Sequence, residues 1–171
     1  MNDLPSLHLM VGVEQKMFTF IDENGLQVDL RFDEGPFDVE PKHVLVLVQQ
    51  DGKWLCTIHN RRGVEFPGGK QEPNETLAEA AVREVYEEAT VKITDLKWFA
   101  YYIVHDEVPF CKAVFTGRVE EIEPFVGDYE TIGMVWLTEE QLWQQENLSF
   151  YMRDAGMKKM LQEVKKHARQ W

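Results

Sequence analysis

The chain has 171 residues, of which 44% are hydrophobic and 12% aromatic, so it can bury one core without metal ions or disulfides. Its 18 basic and 30 acidic residues give a formal net charge of −12, which disfavours duplex DNA as a partner because the phosphate backbone attracts basic proteins. Cys56 and Cys111 are the only cysteines and lack C-x-x-C spacing, which argues against a disulfide framework or a zinc site.

The chain shows no sign of a membrane or secretory segment. No basic stretch followed by an apolar one stands at the N-terminus, and no run approaches the ~18 apolar residues that a membrane span requires. We therefore expect a soluble, cytoplasmic protein without membrane partners, built as a single domain over residues 1–171. No pattern indicates its oligomeric state.

The first elements are predicted to be hairpins around a buried strand. Met17 to Phe32 is typical of two strands joined by the turn Asp22-Glu23-Asn24-Gly25. The continuous apolar run Val44 to Val48 predicts a central strand buried on both faces. Asp51-Gly52 predicts a second tight turn, with Trp54 to His59 as the returning strand.

A helix is predicted after the loop that follows. Asn60 to Pro73 is rich in glycine, proline and charge, which indicates a loop with at most one short strand. Asn74 is a candidate N-cap. Glu75 to Ala89 places apolar residues four apart, as an amphipathic helix requires, at Leu77, Ala81 and Val85.

The last third of the chain returns to strands and ends in helices. Aromatic and β-branched residues predict three strands, at Leu96 to His105, Phe110 to Val119 and Met134 to Leu137. Thr138-Glu139-Glu140 is expected to cap a short helix that ends at Gln144. Gly156 to Gln170 predicts a final helix with one apolar face. This irregular alternation favours an α/β protein whose mixed sheet lies between helices.

Three glutamates mark the central helix as a candidate site. Residues three or four apart share a helix face, so Glu84, Glu87 and Glu88 are expected to converge. A solvated acidic face would give the same pattern, although neighbouring like charges cost stability and only Lys92 stands four residues after one of them. Carboxylate oxygens are the ligands that Mg²⁺ prefers. A bound cation is therefore the alternative to a solvated face.

A longer pattern surrounds these glutamates. Gly69, Glu75 and the run Arg83-Glu84-Val85-Tyr86-Glu87-Glu88-Ala89-Thr90-Val91 resemble the Nudix box, G-x5-E-x7-R-E-U-x-E-E-x-G-U, where U is aliphatic. A motif that fixes so many positions is specific. The one departure is Thr90, which stands at the helix end where glycine would supply a left-handed residue. It leaves the acidic residues of the motif intact.

The resemblance implies the Nudix fold, a mixed β-sheet sandwiched between helices, and hydrolysis of nucleoside diphosphates linked to another group. It implies Mg²⁺ as cofactor, with Mn²⁺ as a substitute. By motif position, Glu84, Glu87 and Glu88 would be the catalytic, metal-binding residues, and the Gly69 carbonyl would be a further ligand. Glu84 is the first choice for general base. Glu75 and Arg83 would brace the loop through a salt bridge.

Residues outside the box extend the resemblance. Glu65-Phe66-Pro67-Gly68-Gly69-Lys70 is similar to the MutT-type nucleoside triphosphatases, in which the phenylalanine lies near the base and the lysine near the phosphates. Segments such as Pro41-Lys42-His43-Val44 and Ser149-Phe150 resemble the YtkD-type enzymes of Gram-positive bacteria. Those enzymes are associated with oxidised guanine nucleotides and with removal of pyrophosphate from RNA 5′ ends.

Four residues are candidates for substrate binding. Arg62 and Lys70 could hold phosphates, or they could be solvated loop charges. Phe66 could stack on a purine, or it could be a core aromatic. Asn147 could bind a guanine edge by the same resemblance, whereas a plain turn asparagine explains it equally simply.

A glutamate before the last strand is a candidate for an additional metal ligand. Glu130 precedes Trp136 in a stretch that resembles the loop where MutT-type enzymes place a further metal-binding glutamate. Glu120, Glu121 and Glu123 compete for this role, and a turn rich in carboxylates is commonly only solvated. Glu130 is preferred.

The leading interpretation is a Mg²⁺-dependent pyrophosphohydrolase that cleaves a phosphoanhydride bond of a purine nucleoside triphosphate such as 8-oxo-dGTP or dGTP, in nucleotide-pool sanitation. One alternative substrate is a triphosphorylated RNA 5′ end, whose cleavage initiates mRNA decay. A sugar-nucleotide or dinucleotide hydrolase would retain the same box. A non-catalytic nucleotide-binding module is the alternative of another class, and it would be expected to lose one of the metal-binding glutamates.

Overall fold

A computed structural model describes residues 17–35 and 38–166, and nine strands within these ranges form one sheet. The strands are β1 Met17–Ile21, β2 Gln27–Arg31, β3 Pro41–Gln50, β4 Lys53–His59, β5 Gly63–Glu65, β6 Gly68–Lys70, β7 Val91–His105, β8 Phe110–Ile122 and β9 Thr131–Leu137. The helices are α1 Leu77–Ala89, α2 Glu139–Trp143 and α3 Ala155–Lys166, with a 3₁₀ turn at Phe150–Met152.

The sheet is mixed, as predicted. Its strands follow the order β1-β2-β7-β8-β3-β4-β5, while β6 pairs with β3 and β9 pairs with β4. The pair β3–β8 is parallel, with Val44 opposite Ala113, and the other paired strands are antiparallel. Strand β3 therefore contacts three neighbours and holds the centre of the sheet.

Two hydrophobic cores lie on opposite faces of this sheet. Val44, Val46 and Val48 of β3 pack on one face against the small residues of α1. Leu45 and Leu47 belong to the other core, which contains the apolar face of α3. Successive side chains of a strand point to opposite faces, so both cores need apolar residues from β3. The predicted sheet between helices is confirmed.

Some predicted boundaries are wrong. The segment Asn60 to Pro73 contains two short strands, β5 and β6, because each finds a longer partner, β4 and β3. Asn74 is not the N-cap: it has a positive φ of 65°, and Thr76 caps α1. Thr76 Oγ1 accepts a hydrogen bond from the Glu79 amide at 3.1 Å, while the Thr76 amide donates to the Glu79 carboxylate at 3.2 Å. This reciprocal capping box starts the helix two residues later than predicted.

The late strands are longer than the apolar pattern indicated. Strand β7 begins at Val91 and β8 extends to Ile122 because the two form an antiparallel ladder with three irregularities in register. Strand β9 begins at Thr131, and its pairing with β4 supplies the partner that the sequence does not show. The short helix after Thr138 is confirmed. The final helix is confirmed through Lys166, and residues 167–170 of that prediction lie outside the described residues.

Both cysteine thiols are free and buried, as expected, and burial raises the pKa of Cys56 and of Cys111 to about 12. In residues 17–35 and 38–166, no helix has the length and apolar character needed to cross a membrane.

Helix α1 ends on Thr90, the residue that replaces the glycine of the motif. Thr90 adopts the left-handed conformation, with φ 57° and ψ 36°, which costs a β-branched residue about 1 kcal/mol or more. Its Oγ1 accepts a hydrogen bond from the Val126 amide at 3.0 Å, and its carbonyl accepts one from the Glu123 amide at 3.0 Å. The threonine thus keeps the turn that glycine would provide and ties the end of the helix to the following loop.

Substitution of Thr90 separates the backbone strain of the left-handed conformation from the hydrogen bond of the hydroxyl. Thr90→Ala retains the strained backbone and loses the hydroxyl acceptor, so the free energy of unfolding should fall by about 1 kcal/mol. Thr90→Gly loses the same hydrogen bond but relieves about 1 kcal/mol of strain, and its stability should stay close to that of the wild type. Urea denaturation measures both variants, and a fully stable Thr90→Ala protein would contradict the role of the hydroxyl.

Candidate active site

Strand β6 brings two glycines against the central strand and the central helix. A Cβ on Gly68 would lie 2.4 Å from the carbonyl oxygen of Val44, and one on Gly69 would lie 2.3 Å from Oε1 of Glu84. Real Cβ atoms do not approach other atoms so closely, so position 68, which faces backbone, requires glycine, and a side chain at position 69 would displace the carboxylate of Glu84. The absence of these side chains allows β6 to lie directly beside the carboxylate of Glu84.

Arg83 joins the loop after β6 to helix α1. Its Nε donates to Glu75 Oε2 at 2.7 Å and its Nη2 donates to Glu75 Oε1 at 2.9 Å. The same Nη2 donates to the carbonyl of Lys70 at 3.0 Å. Hydrogen bonds from Arg83 lower the pKa of Glu75 to about 2. The salt bridge expected between these residues is present, and a bracing role for it stays a prediction.

Glu84 and Glu88 form a half-buried pair of carboxyl groups. Their carboxyl groups interact directly, and the backbone of Gly68 favours the ionised form of Glu88. Burial raises the pKa of both groups, and the charge of Glu84 raises the pKa of Glu88 further. Two adjacent acids that cannot both ionise cheaply form a place where a cation would be stabilised.

The three glutamates line one cavity, as helix spacing predicts, but they do not form a tight group of ligands. Among the described residues, no three His, Cys, Asp or Glu side chains form a group arranged to hold a metal ion. Nη1 of Arg83 lies 3.1 Å from Glu84 Oε1 and 3.2 Å from Glu87 Oε2, so Glu87 turns towards the guanidinium. Arg83 is four residues before Glu87, a spacing that already signalled this contact. Lys92 instead pairs with Glu121 and Glu123, at 3.4 and 3.2 Å.

The glutamates line an open cavity of about 730 Å³, called here the acidic pocket. It is lined by Lys70, Gln71, Glu72, Pro73, Arg83, Glu84, Glu87, Glu88, Asp128, Glu130 and Thr131. Asp128 Oδ1 accepts from the amides of Glu130 and Thr131 at 2.9 and 2.6 Å, which holds the turn that carries Glu130. Glu130 therefore faces the same space as the helix glutamates, and Asp128, which sequence reasoning missed, is beside it.

A second cavity of about 370 Å³ lies beyond β6 and is called here the aromatic pocket. Its walls include Phe66, Phe110 and Tyr151, and strand β6 contributes Gly68 and Gly69. Phe66 is both a core residue, 4% exposed, and a wall of this pocket. Its ring meets Trp54 edge-on, with centroids 6.1 Å apart. A role for Phe66 in the core is therefore compatible with a role in stacking on a purine.

The other substrate-binding candidates separate in space. Lys70 lines the acidic pocket. Arg62 lines the aromatic pocket, where it forms a bidentate ion pair with Glu65 at 3.0 and 2.7 Å. Asn147 is exposed and lines neither pocket as described; its carbonyl accepts from the Val64 amide at 2.9 Å and so positions β5.

Sequence reasoning missed two polar residues of the aromatic pocket, Lys112 and His43. Lys112 interrupts the apolar strand Phe110-Cys111-Lys112-Ala113-Val114. A lone charge at such a position was the available signal, because a charged group is costly to bury without a partner.

Comparisons with known proteins bear on the fold and the family of this chain. The model of the NUDIX domain family matches residues 37–162. YtkD of Bacillus subtilis, provisionally named an 8-oxo-dGTP diphosphatase, is 39% identical over 152 residues, covering 87% of this chain and 96% of YtkD. The phosphatase NudJ of Escherichia coli is 31% identical over 116 residues, covering 62% of this chain and 74% of NudJ. The crystal structure of a point mutant of the B. subtilis pyrophosphohydrolase BsRppH superposes with a TM-score of 0.80 at 38% identity and covers 88% of this chain and 97% of that one.

Replacing Arg83 by lysine tests the brace. Arg83→Lys keeps the charge but loses the planar fork that contacts Glu75 and the Lys70 carbonyl, so the free energy of unfolding should fall by about 1–2 kcal/mol. The matched control is Arg118→Lys, since Arg118 lies 3.4 Å from Asp95 and its side chain is 71% exposed. This control should change stability by less than about 0.5 kcal/mol. Equal effects of the two variants in denaturant titrations would argue against the brace.

Proposed function

The chain belongs to the Nudix family of hydrolases, and we propose that it cleaves a phosphoanhydride bond of a purine nucleoside triphosphate with the help of Mg²⁺. The observation that carries this proposal is the position of strand β6 between two cavities of different chemistry. Lys70, at one end of β6, lines the acidic pocket, and Gly68 and Gly69 line the aromatic pocket. A flat base on one side of the strand and a phosphate chain on the other would match these two environments.

The acidic pocket has the donor chemistry that a hard divalent cation needs. Glu84, Glu87, Glu88 and Glu130 supply carboxylate oxygens, and the Gly69 carbonyl would be a further ligand. The burial of Glu84 and Glu88 beside each other is unfavourable when both are ionised, and a cation would offset that repulsion. When bound, Mg²⁺ would neutralise charge on the phosphoryl oxygens and lower the pKa of a water molecule.

The chain's own residues would orient and deprotonate the attacking water. A carboxylate whose pKa is raised by burial is a better proton acceptor than a solvated one, and Glu84, which combines burial with contact to Arg83, is our choice for that role. Lys70 lies at the rim of the acidic pocket and would contact the phosphate chain as a point charge. Arg83 and Glu75 would hold the loop that carries Lys70 in place.

A free nucleotide suits the structure better than an RNA chain does. The aromatic pocket adjoins a smaller cavity of about 230 Å³ that shares Phe110, Lys112 and Tyr151 with it. Acidic residues Asp22, Glu23 and Asp106 line that continuation, so this space beyond the base is unsuited to a second, phosphate-bearing nucleotide. An RNA 5′ end remains the second candidate substrate because of the resemblance to the YtkD-type enzymes.

A comparison of substrates tests this proposal. Purified protein with Mg²⁺ is incubated with 8-oxo-dGTP, dGTP and an RNA carrying a 5′-triphosphate, and the released phosphates are separated by ion-exchange chromatography. We expect hydrolysis of the nucleoside triphosphates, abolished by a chelator and restored by added Mg²⁺. Preference for the RNA would favour the second candidate, and inertness towards all three would favour a non-catalytic, nucleotide-binding module.

Glu87→Gln tests the acidic pocket. Glu87 is exposed, so the variant should fold like the wild type, whereas the loss of one negative ligand should lower kcat/KM by about 100-fold or more. Glu79→Gln on the same helix is the matched control, because glutamine retains the capping oxygen and Glu79 does not line the acidic pocket. The control should keep full activity. A fully active Glu87→Gln enzyme would show that the site is assigned incorrectly.

A further inference from the structure

Among the described residues, Lys112 has no hydrogen-bond or ion-pair partner in the aromatic pocket. Its ammonium nitrogen lies 4.8 Å from the ring centroid of Tyr151 and 5.6 Å from that of Tyr102. Burial lowers the pKa of this ammonium, although the charges of Asp154 and Glu65 partly oppose the shift. The ring faces attract the cation, but none of these contacts gives its three N–H donors a polar acceptor.

The acidic residues nearest to Lys112 are already engaged by other groups. The Asp154 carboxylate accepts a hydrogen bond from the Tyr102 hydroxyl and another from the Met157 amide. Both oxygens of Glu65 are bound by the guanidinium of Arg62. These carboxylates act on Lys112 from a distance, so the donors of its ammonium stay available to a ligand.

The opposite strand also has spare hydrogen-bonding capacity. His43, directly opposite Lys112 in the β3–β8 register, has its pKa lowered by burial and by the charges of Lys112 and Lys70. Its Nδ1 is buried and has no hydrogen-bond partner among the described residues. The wall formed by β3 and β8 thus presents two polar groups to the aromatic pocket.

The walls and the charges together define the kind of ligand. Phe66, Phe110 and Tyr151 suit a flat aromatic ring. A phosphate is a poor match here because Arg62, the other cation of the lining, is paired with Glu65 and the adjoining cavity is acidic. An ammonium group only donates hydrogen bonds, so it favours a carbonyl oxygen on the ring and disfavours an amino group.

The position of Lys112 identifies the edge of the base. Lys112 lies where the aromatic pocket meets the adjoining cavity, and it is absent from the lining of the acidic pocket where phosphates are proposed to bind. In a purine, position 8 is next to the nitrogen that carries the sugar, whereas position 6 lies on the far ring. A base whose sugar points towards β6 would therefore turn its far ring, with positions 2 and 6, towards Lys112, and in guanine and hypoxanthine position 6 is the one that carries a carbonyl oxygen.

Resting on the proposed function, we infer that Lys112 is a specificity-determining residue whose ammonium donates a hydrogen bond to the 6-carbonyl of a purine base held in the aromatic pocket. Purines with a carbonyl at this position are accepted, and those with an amino group there leave the ammonium unsatisfied. A site built around a buried hydrogen-bonding group rejects ligands that cannot pair with it more strongly than an apolar site does.

The test uses two substrates that differ at this edge, dITP with a 6-carbonyl and dATP with a 6-amino group. With the wild type and Mg²⁺, kcat/KM should be about 10–100-fold higher for dITP. Lys112→Met keeps the length and the apolar stem but removes the donor. We expect this variant to lose the preference through a fall in dITP hydrolysis, with dATP hydrolysis changed less than about 3-fold.

The matched control is Lys158→Met. Lys158 also lies over an aromatic ring, 5.7 Å from the centroid of Trp143, but it is exposed and lines neither pocket. It should retain the wild-type ratio of dITP to dATP hydrolysis. Urea denaturation should show Lys112→Met to be within about 1 kcal/mol of the wild type, because methionine keeps the apolar stem and the ammonium has no hydrogen-bond partner to lose.

The outcomes separate this inference from the proposed function. A preference for dITP that persists in Lys112→Met overturns the role of Lys112 and leaves the hydrolase function intact. A wild-type ratio of dITP to dATP hydrolysis near one has the same consequence. That ratio can be measured even if the variant fails to fold. If the wild type hydrolyses no triphosphate, the proposed function fails, and calorimetric binding of IMP and AMP without metal then decides the inference. Tighter IMP binding that is lost in Lys112→Met supports it, whereas equal binding, or none, refutes it.

Discussion

The contacts of a single guanidinium connect the parts of the candidate site. Arg83 binds both oxygens of Glu75, the carbonyl of Lys70 and the carboxylates of Glu84 and Glu87. Because these groups belong to the loop after β6 and to helix α1, one planar fork fixes the loop against the helix. Only arginine has enough donors in a rigid plane to make these contacts together. The alignment of Gly69 beside Glu84 depends on the same fixed loop.

The acidic face of α1 is a compromise between folding and function. Glu84 and Glu88 are half-buried beside each other, an arrangement that raises the pKa of both and costs stability when both are ionised. The remaining turns of the helix compensate through the capping box at Thr76 and the small residues packed on β3. Such local conflict between stability and charge is typical of sites that bind a ligand of opposite charge.

The same principle connects the two pockets. Each pocket contains a charge without a full partner. Beside α1 the carboxylates outnumber the cations, and in the aromatic pocket the Lys112 ammonium has no hydrogen-bond acceptor among the described residues. Strand β6 lies between them and, with glycine at two of its three positions, lets a ligand pass close to the backbone. The proposed nucleotide would pair with both charges, its metal-bound phosphates with the carboxylates on one side of β6 and its base with Lys112 on the other.

Local signals along the chain are enough to predict the buried run of β3, the tight turn at Asp51-Gly52, the helix of glutamates and the spacing of Glu75 and Arg83. Tertiary structure decided what depends on distant partners. Strands β5 and β6 exist because β4 and β3 pair with them. Glu84 and Glu87 share one nitrogen of Arg83, and Glu130 reaches the acidic pocket through a turn held by Asp128. Lys112 and His43 meet only because β3 and β8, which are far apart along the chain, lie parallel in one sheet. Periodicity and motif spacing record neighbours along the chain, whereas contacts across the sheet leave no such record.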